Sequence, residues 1–215
     1  MAVNWAEIFR KLENYLDPEN LPSVNQLAAG RPWEALVSTI ISLRTKDRVT
    51  TEASKRLLAE FPDPVSLARA PAEQIEKLIY PAGFFRVKAE NLKNTASVII
   101  LRHKGSVPDS LEELLALPGV GLKTANLVLS AGHGIPAICV DIHVHRISNR
   151  FGWINTKTAP ESEKELCRIV PKKYWIRLNM LLVNFGQKIC TPASPWCSKC
   201  ALNSLCLKIG VTRSR

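Results

Sequence analysis

Leu114-Leu115-Ala116-Leu117-Pro118-Gly119-Val120-Gly121-Leu122-Lys123-Thr124-Ala125-Asn126 is the stretch on which the reading of this chain turns. An apolar helical run enters Leu-Pro-Gly-Val-Gly, and a second helix leaves it at once. Pro118 stops the first helix because it has no amide hydrogen and a fixed φ. Gly119 and Gly121 are expected to adopt backbone conformations closed to other residues and, having no side chains, to admit a second backbone closely. Successive amides at the start of the second helix point outward, where the helix dipole favours an anion. A DNA phosphate suits that place, and such contacts position a duplex without reading its sequence. Taken alone, Gly-x-Gly is equally an ordinary turn between two helices.

Outward from the hairpin the pattern is helical almost throughout. Apolar residues recur at helical spacing from Asn4 to Leu16, with Asp17-Pro18 closing that run. Pro32 to Ile41 places Trp33, Leu36, Val37, Ile40 and Ile41 on one stripe. Asp47 reads as the N-cap of a helix over Arg48 to Phe61, which Pro62-Asp63-Pro64 ends. Helices follow over Pro64–Ala70, Pro71–Ile79 and Arg86–Arg102, and Ser110 and Glu113 are spaced as a capping box before the hairpin. No alternating run reads as a strand. The expectation is an all-α chain of two lobes, 22–133 forming one and 1–21 with 134–215 the other.

Twenty-nine lysines and arginines against nineteen acidic residues leave a net charge of +10, and the pI is near 9.5. A polyanion is the implied partner, with nucleic acid ahead of an anionic membrane. The cations are spread along the chain, and only Thr212-Arg213-Ser214-Arg215 resembles a basic tail. No apolar run is long enough to span a bilayer, and no basic stretch precedes an apolar one at the N-terminus. No membrane partner and a cytoplasmic location (nuclear or mitochondrial in a eukaryote) are therefore expected. Cys139 and Cys167 stand alone and read as small buried hydrophobes. Cys190, Cys197, Cys200 and Cys206 crowd into seventeen residues with 6-2-5 spacing. In a reducing compartment that favours a metal centre over two disulfides. Four thiolates suit zinc or an iron–sulfur cluster, and spacing alone does not choose between them.

The hairpin is followed by Val140-Asp141-Ile142-His143-Val144-His145-Arg146, with the aspartate eighteen positions after Lys123. Upstream, Gly83, Lys88 and Asn91 form Gly-x4-Lys-x2-Asn. Together with the 6-2-5 cysteines, these motifs resemble the endonuclease III family, from about Trp33 to Cys206. The resemblance implies two helical lobes with a DNA-binding cleft between them, a helix-hairpin-helix, and a [4Fe–4S] cluster on Cys190, Cys197, Cys200 and Cys206 in a loop over 190–206. It also implies a monomer that acts on double-stranded DNA carrying a damaged base or an abasic site.

The implied reaction is removal of an oxidised pyrimidine, with the target nucleotide flipped into a pocket. β-Elimination at the abasic site follows through a lysine Schiff base. Lys123 stands where the family has its Schiff-base lysine; its amine must be neutral to attack, so cations and helix amides are expected to depress its pKa. Asp141 is the carboxylate that stabilises positive charge on the sugar, and it is also a natural N-cap, two roles that can coexist. Gly119, Val120 and Gly121 would hold a phosphate, and His143 either contacts one or is structural. In the family, the loops matching Arg44 and Phe84 fill the gap left by the flipped nucleotide. Many relatives carry glutamine at the place of Arg44. Two other readings compete: a monofunctional mismatch glycosylase, which Lys123 opposes, and a non-catalytic DNA-binding or redox-sensing module, which Lys123 and Asp141 together oppose.

Overall fold

A computed structural model describes residues 3–16 and 27–215, and among these there are helices, turns and no strands. The proposed stop at Asp17-Pro18 lies outside the described residues. The helices, in chain order, are α1 (Trp5–Glu13), α2 (Pro32–Ser42), α3 (Asp47–Glu60), α4 (Pro64–Arg69), α5 (Ala72–Ile79) and α6 (Phe85–His103). After these come α7 (Leu111–Leu115), α8 (Leu122–Leu127), α9 (Ile142–Phe151), α10 (Ala159–Ile169) and α11 (Trp175–Lys188). A π turn over Val128–Gly132 continues α8, and 3-10 turns occupy Cys197–Lys199 and Asn203–Leu205. No described helix is long and apolar enough to cross a membrane.

The chain divides into two compact units, one of Met1–Pro22 with Ile138–Arg215 and one of Ser23–Ala137. In the first, Phe9 and Leu12 of α1, Val144, Ile147 and Phe151 of α9, and Leu178, Leu182 and Phe185 of α11 form a single core. In the second, α2 is the central helix, packed against α3, α6, α8 and the π turn. Its sequence predicted a stripe. The structure buries Ser38 and Thr39 as well, because each hydroxyl donates to a carbonyl one turn back, Ser38 to Glu34 at 2.5 Å and Thr39 to Ala35 at 2.6 Å. Gly132 in the π turn is what lets this packing close: a Cβ there would lie 2.8 Å from the Cα of Pro32.

Several helix ends differ from their expectation. Lys46, not Asp47, holds the N-cap position of α3 and makes no side-chain cap; Asp47 is the first helical residue, where the dipole still favours a carboxylate. Asp63, read as a helix stop, also caps α4 in a reciprocal capping box with Ser66. Ser110 caps α7 by accepting from the Glu113 amide, but the Glu113 carboxylate accepts from the Ser110 hydroxyl at 2.9 Å instead of returning to the cap amide.

Candidate functional site

In the Ser23–Ala137 unit, three candidate elements hang on α6. At its start, Phe84 occupies the N-cap position in the left-handed region (φ 56°) and is 62% exposed. Arg44, in the turn after α2, is also left-handed (φ 52°), and its guanidinium lies 5.6 Å from the centre of the Phe84 ring. Two adjoining non-glycine residues with positive φ mark stored backbone strain. Gly83 permits the approach, since a Cβ there would meet the Arg44 carbonyl oxygen at 2.5 Å. One turn into α6, the buried Lys88 ammonium donates to the carbonyls of Ile41 and Leu43, each at 2.6 Å, and to the Thr45 hydroxyl at 2.8 Å. Burial pushes its pKa down to about 8.

Farther along α6, Thr95 bonds the hairpin and Asn91 packs against it. The Thr95 hydroxyl donates to the Pro118 carbonyl at 2.7 Å. Gly119 is left-handed (φ 71°), and a Cβ on it would lie 2.8 Å from Asn91 Nδ2. Gly121 departs from its expectation: its φ of −101° and ψ of 179° are ordinary extended backbone, and a Cβ there would meet nothing within 4 Å. It caps α8 with no side chain. Val120 is 8% exposed, which leaves its backbone rather than its side chain for any outside contact. Lys123 sits in the first turn of α8, half-buried.

Asp141 belongs to the other unit, as the N-cap of α9; one carboxylate oxygen accepts from the amides of His143 and Val144, each at 2.9 Å. That leaves its second oxygen outside the cap. His143 Nδ1 lies 3.1 Å from Arg146 Nη2, and because a guanidinium only donates, Nδ1 accepts and the ring proton sits on Nε2. Gly186 makes room for this ring: a Cβ there would fall 2.5 Å from His143 Nδ1.

Downstream on α9, Arg146 donates to the Cys190 carbonyl at 2.8 Å, and Arg150 donates to the Cys190 sulfur at 3.4 Å and the Thr191 carbonyl at 2.8 Å. Cys190, Cys197, Cys200 and Cys206 are all unbridged and line one small pocket with Phe151, Phe185 and Trp196. Among the described residues, no three His, Cys, Asp or Glu side chains are grouped so as to hold a metal ion. Burial, first of all, pushes the Cys200 thiol up to about 11 and raises that of Cys206. Lys199 and Arg215 lie over the Trp196 ring, 4.7 and 4.1 Å from its centre. Cys139 and Cys167 are not part of this cavity; Cys139 is buried, and burial pushes the Cys167 thiol up to about 12.

The roles of Lys88, Asn91, Thr95, Arg146 and Arg150 were missing from the sequence reading. The i, i+3 spacing of Lys88 and Asn91 on one helix face was the available signal for the first two. The arginines gave none, since their acceptors lie about forty residues away.

Residues 37–172 match the family model of the HhH-GPD superfamily of base excision DNA repair proteins. The chain is 46% identical over 175 residues to endonuclease III of Thermotoga maritima, spanning 81% of this chain and 82% of that protein. A solved endonuclease III trapped as a covalent intermediate with DNA superposes with a TM-score of 0.83 at 33% identity, over 96% of this chain and 97% of that one. A thermostable thymine-DNA glycosylase superposes with a TM-score of 0.80 at 26% identity, over 93% and 94%.

Proposed function

The chain belongs to the endonuclease III family, and from that premise we propose how its residues divide the work of a base excision repair DNA glycosylase and abasic-site lyase. Lys123 is the nucleophile. Its neutral amine attacks C1′ of the damaged nucleotide, the base departs with its bonding electrons, and the ring opens to a protonated Schiff base. Loss of a C2′ proton then expels the 3′ phosphate, and water releases the sugar remnant from the lysine. Asp141 stabilises the positive charge that develops on the sugar, using the oxygen not engaged in capping α9. The observation that carries the reading is Lys123 in the first turn after the hairpin, in a chain similar to a protein whose solved structure is a covalent DNA intermediate.

The hairpin backbone from Gly119 to Gly121 grips a phosphate, and Arg44 with Phe84 enters the duplex beside the flipped nucleotide, as inserted apolar side chains do elsewhere. The bond from Arg146 holds His143 in place, which favours a supporting role over direct phosphate contact. Oxidised pyrimidines are the substrate class. Both candidate catalytic residues belong to one chain, so a monomer suffices.

Cys190, Cys197, Cys200 and Cys206 would hold a [4Fe–4S] cluster. Four unbridged thiols lining one pocket are the donor set that such a cluster takes, in a chain of the endonuclease III family. When bound, the cluster supplies a rigid, cross-linked fold for the loop. The chain's own contribution is cationic, with Lys199 and Arg215 presented over Trp196. The reading is tested by incubating the protein with duplexes bearing thymine glycol, a mismatched uracil or an abasic site, in the presence of borohydride. Excision of thymine glycol with a trapped covalent complex supports it. Base release without trapping favours the monofunctional alternative.

A further inference from the structure

Lys88 is an unusual use of a lysine. It is 5% exposed, no charged side chain is among the causes of its lowered pKa, and its three acceptors are two carbonyls and a hydroxyl. A buried ammonium without a counterion is costly, so its retention calls for a structural return. That return is visible in what it bonds. Ile41 is in the last turn of α2, and Leu43 and Thr45 flank the left-handed Arg44. Thr45 shares its hydroxyl with the Gly83 amide, which donates to it at 3.1 Å. Lys88 also stands one turn after Phe84, its amide donating to the Phe84 carbonyl at 3.0 Å. One side chain therefore ties the exit of α2, the Arg44 turn and the Gly83-Phe84 entry of α6 into a single knot.

We propose that Lys88 is a positioning residue that sets Arg44 and Phe84 as one preformed probe for the duplex. The proposal rests on the reading that these two residues enter DNA. Each sits in a strained backbone conformation that would relax in an untethered loop. Ordering them in advance spares the entropy of ordering on binding, so the gain appears in affinity for the duplex and not in the chemistry at C1′.

The test uses the full chain and two readouts: affinity for a duplex carrying a tetrahydrofuran abasic analogue, and kcat and KM for lyase action on an abasic duplex. Arg44→Ala with Phe84→Ala should weaken binding. Lys88→Met should raise KM by about tenfold, the scale of one charge-assisted hydrogen bond, with kcat changed by less than about twofold. Added to the Arg44→Ala/Phe84→Ala pair, Lys88→Met should cost little more, because it acts through them. Thr45→Val, which keeps the lysine and removes one acceptor, should give a smaller loss of the same kind and serves if Lys88→Met melts at assay temperature. Wild-type affinity in both Lys88→Met and Thr45→Val, an equal fall in kcat, or a full additive penalty on the double variant overturns the proposal while the DNA reading stands. Wild-type binding by the Arg44→Ala/Phe84→Ala pair overturns both.

Discussion

Asp141 accepts the Val144 amide at 2.9 Å with the same carboxylate oxygen that accepts the His143 amide. A residue proposed to stabilise a sugar cation is thus also the cap that starts α9. Asparagine caps about as well as aspartate, and alanine costs about 1 kcal/mol. Asp141→Asn should therefore melt close to wild type while base release falls at least about a hundredfold, the scale of a lost electrostatic contact in a transition state. Asp141→Ala should lose stability as well. Thermal melts alongside single-turnover excision separate the two roles, and near-normal base release by Asp141→Asn would rule out the catalytic one.

Lys123→Ala should abolish borohydride trapping and strand cleavage, because only the attacking amine is removed. Affinity for an abasic-analogue duplex should stay within a few-fold, since the hairpin backbone and its bond from Thr95 are untouched. Gel-resolved trapping and fluorescence anisotropy measure the two; an undiminished covalent complex would place the nucleophile elsewhere.

The protein purified anaerobically should be yellow-brown, absorb broadly near ~410 nm and carry about four irons. Cys200→Ala should lose that absorbance and weaken DNA binding. Because burial raises the Cys200 and Cys206 thiols, these groups are protonated in the absence of metal near neutral pH, and loading should release protons and fail progressively as pH falls. Stoichiometric zinc without iron would contradict the assignment.

The two hairpin glycines should respond differently. Gly119→Ala meets both a positive φ and the Asn91 side chain, so it should cost about 1–3 kcal/mol and loosen duplex binding. Gly121→Ala meets neither obstacle and should leave the melting temperature almost unchanged. If it nevertheless lowers DNA affinity, the space above Gly121 is where a phosphate backbone comes close. Equal melting losses in the two variants would show that the conformational distinction is wrong.

Arg44 offers only donors, which pair best with the acceptors of guanine. If it meets the orphan base, lesions opposite guanine should be excised preferentially, by about 1–3 kcal/mol for a bidentate contact, and Arg44→Gln should flatten that preference. Excision of one lesion opposite each of the four bases is the measurement. A profile unchanged by the substitution would assign Arg44 to a phosphate.

Local rules were enough for the helical class and for most helix positions to within a residue or two, because each rests on short-range spacing. The roles proposed for Lys123, Asp141 and the four cysteines came instead from the resemblance to a family. Pro118 beside Gly119, an aspartate before an amphipathic run and 6-2-5 thiols are legible along the chain itself. What tertiary structure alone decided is how those groups are held. Lys88 is legible only as a motif member, without its acceptors, until α2 is seen to end against α6, and Arg146 and Arg150 become anchors only when α9 meets the Cys190 loop about forty residues later. The central position of α2 and the differing conformations of Gly119 and Gly121 are of the same kind. Periodicity registers which face of a helix is apolar, but not how many neighbours enclose it. Residue type registers what backbone is permitted, whereas packing selects the one adopted.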